Sequence, residues 1–454
     1  MNVLYKEIID HSLFVTSKLA EKKGVHSTFN NPFETFLKIW ISSIWKLFKQ
    51  IAKFNFGITN PFKFKKFLFF LGSNNQYVAL EPLFTELEGN FTGIKNKFID
   101  KDNIVEFSNL PIFYIYLIQV FILPFLYNSN NRYLIENFGN KIPGKKIFET
   151  IFFTISCFHF FNIIFKIKKP KIIIMANDHT NINVGILYAA RNNGIKSVYF
   201  QHANVSEIFP PLKFDYALLN SELAAEVYFE ISHSKTKIFC IGNMKADRYL
   251  NKKREFNPKQ KKILLSVNKS HEVKLYEDLA LKLAKLEDVK FIKIRLHPSI
   301  SGEKFELVDS KIQLSDFFIE NSFECLKDID LQVAGNSSII EEALFTNTPT
   351  LYFDLVPELS DYYGYVKNGI VIGNFNKIEE IIKFIKNYIV FQPVFSKAAN
   401  YSSSINTRFM GKTNKLAANI LFEIENDNIL EDFELTKTSL ESSIEIYTIK
   451  KQLL

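Results

Sequence analysis

The chain has 454 residues, 47% of them hydrophobic, and a formal charge of +8. That length exceeds one ordinary core, so two or three domains are expected, and the positive balance suits an anionic partner such as a nucleotide or a membrane surface. Cys157, Cys240 and Cys325 are too scattered for a disulfide framework or a metal cluster, and no nucleic-acid-binding module is recognisable, so nucleic acid is not an expected partner.

The opening "MNVLYKEIIDHSLF" lacks the basic-then-apolar pattern of a signal peptide, and a cytoplasmic location is expected. Residues 1–60 read as helical. Within "FETFLKIWISSIWKLFKQIAKF" the apolar Phe36, Ile39, Trp40, Ile44, Leu47 and Phe48 recur at helical spacing, and Lys38, Lys46, Lys49 and Lys53 lie mostly off that stripe. Such a helix either lies on an anionic membrane, here the inner face of the plasma membrane, or packs on its own protein. Two further stretches are strongly apolar. "LPIFYIYLIQVFILPFLY" is short for a span and interrupted by Pro124; "IFETIFFTISCFHFFNIIFKIKK" carries Glu149, His159 and Lys166. Both are read as core or interfacial helices.

From residue 66 short apolar runs alternate with helical segments. "KFLFFLG", "KIIIMAN", "KSVYF", "YALLN" and "KIFCIG" read as strands, with helices over Tyr77–Glu88 and "NVGILYAARNNG". The polar "NPKQKK" at 257–262 reads as a linker. The rhythm then restarts: strands "KILLSVN", "KFIKIRLHP", "DLQVAGN", "TLYFD" and "GIVIG", and helices Glu272–Leu286, "SSIIEEALFTN" and Lys377–Ile389. This is the signature of parallel β-α-β units. The expected fold is α/β, with two doubly wound Rossmann-like domains facing a cleft. The expected division is a helical region at 1–60, an acceptor domain at 61–256, a donor domain at 257–400, and a helical tail at 401–454.

Four polar clusters fall at expected strand carboxyl ends, where ligands of doubly wound sheets bind. They are "NDHTN", "QHANVSE", "RLHPS" and "GNSSIIEEA". In the first, Asp178 is the leading candidate for a base that deprotonates an acceptor hydroxyl, with His179 and His202 as second choices. Its alternative role is a helix cap. The second opens "QHANVSEIFPPLKFDYALLNSE", which returns through the sheet to Asn220, Ser221 and Glu222. In the third, Arg295 and His297 share one side of a strand that Pro298 ends, suiting a phosphate contact or a proton donor. In the fourth, Gly335 permits close approach of a ligand. Asn336, Ser337 and Ser338 sit at a helix start that suits a phosphate, and Glu341 or Glu342 could accept from a ribose or base. A capping box is the competing reading of the same residues. "KDID", with Asp328 and Asp330, fits a metal-binding Asp-x-Asp pattern but starts a strand instead of ending one; "DKD" near 101 reads as a loop.

"RLHP", followed about forty residues later by "GNSSIIEEAL", resembles the HP and Ser-Ser motifs of bacterial sialyltransferases and polysialyltransferases, capsule Kdo transferases and CDP-glycerol glycerophosphotransferases. The resemblance implies a two-domain GT-B fold and a cytidine-nucleotide donor touched by His297, Ser337 and Ser338. "NDHT" is the nearest counterpart of the sialyltransferases' acidic base motif and lacks its second acid and its Gly. The expected function is transfer of a sugar from a nucleotide-sugar donor, CMP-sialic acid or CMP-Kdo favoured, to a glycan or glycolipid acceptor of the bacterial surface, with no metal and no other cofactor. The alternatives are a glycerophosphotransferase, a nucleotide-sugar 2-epimerase and a non-enzymatic scaffold for glycan export.

Overall fold

The computed structural model describes residues 3–22, 31–53, 64–95, 104–106, 110–231, 235–251, 253, 255–268, 271–297, 300, 309–316, 319–356, 360–428, 430–438 and 444–450. Pro298 and the "DKD" segment lie outside them. The chain forms two compact units. Unit 1 is Met1–Ile241 with Asn414–Leu454, and unit 2 is Gly242–Thr413.

Unit 1 opens with two helices, α1 (Val3–Lys22) and α2 (Pro32–Lys53). There follow β1 (Phe67–Leu71), α3 (Asn74–Glu86), β2 (Phe91–Lys95), β3 (Ile104–Glu106), α4 (Phe113–Phe138) and α5 (Gly144–Ile167). The chain continues through β4 (Ile172–Met175), α6 (Asn181–Asn192), β5 (Lys196–Phe200), β6 (Tyr216–Leu219), α7 (Glu222–Ile231) and β7 (Lys237–Cys240). Its sheet runs β7-β6-β5-β4-β1-β2-β3, all parallel. β1 and β4 are wholly buried, which is why they read as unbroken apolar runs: helices cover both faces of a parallel sheet. Because the chain steps outward from β1 in both directions, the strand order reverses between β1 and β4.

Unit 2 holds β8 (Lys261–Val267), α8 (Val273–Ala284), β9 (Val289–Leu296), β10 (Ile312–Ser315), α9 (Ser322–Leu326), β11 (Leu331–Ala334), α10 (Ile339–Phe345), β12 (Thr350–Phe353), β13 (Gly373–Phe375) and α11 (Ile378–Asn387). Its parallel sheet runs β10-β9-β8-β11-β12-β13, reversing between β8 and β11. Its last strand is Gly373–Phe375, so most of "GIVIG" lies in the turn before it.

Three expectations are corrected by this arrangement. The units divide ahead of the supposed linker at 257–262, and Lys261 is a buried residue that begins β8, its ammonium held by Asp288 and the Ile385 carbonyl. The expected helical tail holds α12 (Thr413–Glu425) and two strands, β14 (Phe433–Thr438) and β15 (Glu445–Ile449). β15 pairs parallel with β7 and antiparallel with β14, so this segment completes unit 1. β14 lies where a helical tail is expected, and all of it but Phe433 is exposed.

α5 is long and apolar enough to cross a membrane by length and composition, but 72% of its apolar window is buried in the protein. It lies against α6 at Gly185, where a Cβ would come within 2.6 Å of Cys157 Cβ and 2.9 Å of the Thr154 carbonyl oxygen. Only glycine permits that approach.

α4 passes straight through Pro124, where sequence reading expects an interruption. Proline has no N–H for the carbonyl of Val120, four residues back. Trp40 of α2 donates its indole N–H to that same oxygen at 2.8 Å. The helix survives because its orphaned acceptor is satisfied from outside. Trp40→Phe should therefore destabilise unit 1 by about 1–3 kcal/mol, the cost of an unsatisfied acceptor. Adding Pro124→Ala, which restores the missing N–H, should recover part of that loss. Urea unfolding followed by far-ultraviolet circular dichroism measures both changes. A double variant no more stable than Trp40→Phe would show that the indole bond is not what the helix needs.

Candidate functional site

The carboxyl end of β4 runs directly into Asn177-Asp178-His179-Thr180. Asn177 caps the turn, its Oδ1 accepting the backbone N–H of His179 at 3.0 Å and of Thr180 at 2.9 Å. Its carbonyl accepts Asn183 Nδ2 at 2.9 Å, tying the turn to the first turn of α6. The helix-capping role expected as the alternative for Asp178 is not taken: the cap residue of α6 is Thr180, and no side chain makes the cap bond.

Asp178 turns inward. Its side chain is 1% exposed and that of His179 is 28% exposed. Asp178 Oδ1 lies 2.8 Å from His179 Nδ1, and Oδ2 lies 3.4 Å from the Tyr228 hydroxyl, which is 3.3 Å from that of Tyr199. A carboxylate can only accept, so Nδ1 carries the ring proton and Nε2 keeps its lone pair. That lone pair faces the Asn177 amide at 3.3 Å. The edge of Phe209 packs on the imidazole, the ring centroids 5.5 Å apart. Asp178 is thus closed off from solvent, and the partly exposed group of the pair is His179.

Burial pushes the phenols of Tyr228 and Tyr199 up, and the nearby Asp178 charge adds to that, so both stay neutral. Behind the pair sits His11 of α1, edge-on to Tyr188. Its burial lowers the imidazole to about 4; the attraction of Asp178 opposes this, and Lys213 and His179 add to the lowering.

The "QHANVSE" stretch follows β5, which pairs with β4. Gln201 is structural: its Oε1 accepts the Asn220 N–H at 2.8 Å and its Nε2 donates to the Ala203 carbonyl at 3.1 Å, joining the ends of β5 and β6. Ser221 Oγ accepts the Ala224 N–H at 3.4 Å as a helix cap. His202 stands half-buried beside this corner. On the other side of the order reversal, β1 ends at Gly72 and Ser73. Ser73 caps α3, and the Gly72 N–H donates to Gln76 Oε1 at 2.8 Å. Sequence reading passed over this end, although "LGSNNQ" follows a wholly apolar strand.

In unit 2 the order reversal lies between β8 and β11. Gly335 follows β11 so closely against β8's end that a Cβ there would lie 2.3 Å from His271 Cε1. Asn268 Nδ2 donates to the Asn336 carbonyl, and Asn336 Oδ1 accepts the Tyr362 N–H at 3.0 Å. His271 Nδ1 lies 2.9 Å from the Tyr276 hydroxyl, and burial lowers its imidazole to about 4. His297 follows β9, its N–H donating to the Val267 carbonyl at 3.0 Å, which sets it beside Asn268. Gly335, Asn336, Asn268, His271 and His297 therefore meet at the ends of three neighbouring strands. Asn268 and His271 escaped the sequence reading, though "SVNKSH" is a polar strand end like the others.

The remaining candidates are placed differently. Arg295 turns onto the β10 side, its Nη1 donating to Ser315 Oγ at 2.8 Å and the Glu320 carbonyl at 2.9 Å. Ser338 is exposed and makes no side-chain cap bond, so the capping-box alternative does not form. Its carbonyl and that of Ser337 accept the first helical N–H groups of α10. Glu342 pairs with Lys245 at 3.6 Å. Asp330 lies at the amino end of β11, its carboxylate accepting the Lys262 N–H at 2.8 Å, at the opposite edge of the sheet from Gly335.

No protein-family model matches the sequence, and no curated protein matches it. Solved structures do. Wall teichoic acid polymerase TagF, soaked with CDPG, is 12% identical over 87% of this chain and 98% of its own, with a TM-score of 0.51. A protein of Listeria monocytogenes assigned as a UDP-N-acetylglucosamine 2-epimerase is 15% identical over 80% of this chain and 96% of its own, with a TM-score of 0.51. With two Rossmann-like sheets and these likenesses, the chain has a GT-B-type fold.

The buried His11 gives unit 1 a pH dependence with a definite sign. It is neutral when folded, whereas the unfolded chain takes up a proton near the ordinary value of 6.5. Its contribution is complete above that value and is lost as pH falls from 6.5 towards 4. At pH 5 the loss should be about 2 kcal/mol relative to pH 7. Tryptophan-monitored urea unfolding at the two pH values checks this, and His11→Phe should flatten the difference.

Proposed function

We propose that the chain is a nucleotide-dependent transferase that builds a bacterial surface glycan, with the acceptor handled by unit 1 and the donor by unit 2. The observation that carries the reading is that each sheet reverses its strand order once and that polar side chains collect at both reversals. Asn177, Asp178 and His179 stand at one; Asn268, His271, Gly335 and Asn336 stand at the other. Doubly wound sheets bind ligands at such points.

In this reading His179 Nε2 takes the proton of an acceptor hydroxyl as its oxygen attacks the anomeric carbon of the donor. The bond to the donor phosphate breaks, and the nucleotide leaves with the bonding electrons. Asp178 fixes the ring and balances the imidazolium that forms, the role a buried carboxylate plays behind a catalytic histidine. His297, His271 and the backbone around Gly335 to Ser338 meet the charge that develops on the leaving phosphate. The resemblance in the HP and Ser-Ser motifs supports a cytidine nucleotide, and CMP-sialic acid or CMP-Kdo is the favoured donor. The likeness to a polymerase soaked with CDPG supports a second reading, glycerophosphate transfer from CDP-glycerol, which would use the same residues with attack at phosphorus. Asp328 and Asp330 take no part, because Asp330 lies at the far edge of the sheet; transfer is proposed to need no metal.

Two measurements test these roles. CMP or CDP should raise the melting temperature of the full chain, since a ligand that binds only the folded state stabilises it. A shift with UDP or GDP and none with CMP or CDP would refute the cytidine assignment, and inversion of the donor sugar at C2 without any acceptor would favour an epimerase.

The second measurement separates the two sets of residues. His179→Gln should lower turnover by about 10² to 10⁴, and Asp178→Asn by a similar factor, with nucleotide affinity unchanged. His297→Ala and His271→Ala should weaken nucleotide binding as well as turnover. An Asp178→Asn protein that still transfers at the wild-type rate would remove the carboxylate from the mechanism, and a His179→Gln protein that does so would leave His202 as the base.

A further inference from the structure

The sequence stripe of α2 divides in the structure. Phe36, Ile39 and Leu47 are buried against the protein, so this part of the pattern is ordinary core packing. Phe36 stacks on Tyr127 of α4, the ring centroids 4.5 Å apart. A second apolar arc is left over. Phe33, Leu37, Ile41, Trp45 and Phe48 recur at spacings of three and four along the whole helix and are exposed, Trp45 by 71% and Phe48 by 64%. α4, packed beside α2, adds Phe121 and Phe125, exposed by 67% and 76%. The third arc of α2 is basic: Lys38, Lys46 and Lys49 are exposed, and the helix holds one acid, Glu34, which is paired with Lys38.

We propose that this face of unit 1 docks on an anionic phospholipid bilayer, α2 lying in the plane of the interface with Trp45 and Phe48 inserted and the lysines on the headgroups. Three properties select lipid over protein. The apolar arc runs the length of a helix with its large side chains exposed, so it suits a yielding medium. Its aromatic content and flanking lysines match the composition of interfacial helices, which enter to the headgroup and acyl boundary. The charge also argues against a second copy: a two-fold contact would oppose the same patch to itself and bring the lysine rows together. An anionic leaflet complements them, and each lysine near it strengthens binding about fivefold at low salt. The inference is independent of the donor reading, since it uses no residue of either strand-end cluster.

The test uses the full chain and co-sedimentation with phosphatidylcholine vesicles, with and without phosphatidylglycerol. The protein should sediment with the anionic vesicles at low salt, less so at high salt, and weakly with the neutral ones. Ile41→Asp with Trp45→Asp should reduce the affinity for anionic vesicles by at least about tenfold. Lys46→Glu with Lys49→Glu should abolish the preference for phosphatidylglycerol and leave the melting temperature unchanged, because both side chains are exposed. Sedimentation equilibrium without lipid should give the same mass for all variants. The proposal fails if the wild type ignores anionic vesicles, if both double variants bind them as before, or if the wild type is a dimer that Ile41→Asp with Trp45→Asp dissolves.

Discussion

A carboxylate with almost no exposure is expensive to keep, because its lost hydration must be replaced by partners. Asp178 is such a group, and the elements around it are those that supply the replacement. β4 delivers it, the next residue puts an imidazole nitrogen on one oxygen, and α7 brings the Tyr228 hydroxyl towards the other. β5 contributes Tyr199 behind that hydroxyl, and α1 closes the rear with His11. The approach of α5 to α6 at Gly185 holds the helix that the turn feeds. Loosening any of these would let water reach the carboxylate and free the histidine ring to swing.

Much of the fold was legible because parallel strands buried on both faces need unbroken apolar runs. β1 and β4 have that character throughout, β5, β8, β11 and β12 carry shorter apolar runs, and the β-α rhythm gives their order. What could not be read were strands with short, exposed or mixed runs, among them the interior β2 and β15, whose Thr, Gly, Lys and Glu break the apolar pattern. β3, β10 and β14 are short or half-exposed, so hydrophobicity does not mark them. "GIVIG" failed for the opposite reason: it is apolar enough for a strand but is spent in turns that close over the core. Pro124 misled because the rule against proline inside a helix concerns an unsatisfied carbonyl, and the satisfying group comes from Trp40, eighty residues earlier.

The site was legible in position and less so in role. Strand ends could be inferred, and with them the neighbourhood of Asp178, His179, His202, His297 and Gly335. Which of two adjacent polar residues faces inward depends on the turn, and that is set by Asn177, whose two backbone bonds carry no mark in the sequence. Arg295 shows the same limit. Its spacing from His297 is correct for a shared face, but the guanidinium bonds to Ser315 of β10 and to the Glu320 carbonyl. His271 was invisible because its meaning comes from Gly335, a contact between residues more than sixty positions apart.

The return of residues 414–449 to unit 1 has a consequence for the order in which the molecule is made. During synthesis every residue of unit 2 leaves the ribosome before β15 exists. Until then β7 is an open edge with unpaired amides, next to a core already large enough to collapse. The middle of the chain can finish folding while the beginning still waits for its final strands. The interval between them is the time the ribosome needs to make unit 2, and it is the period in which a holding chaperone has an unfinished sheet to protect.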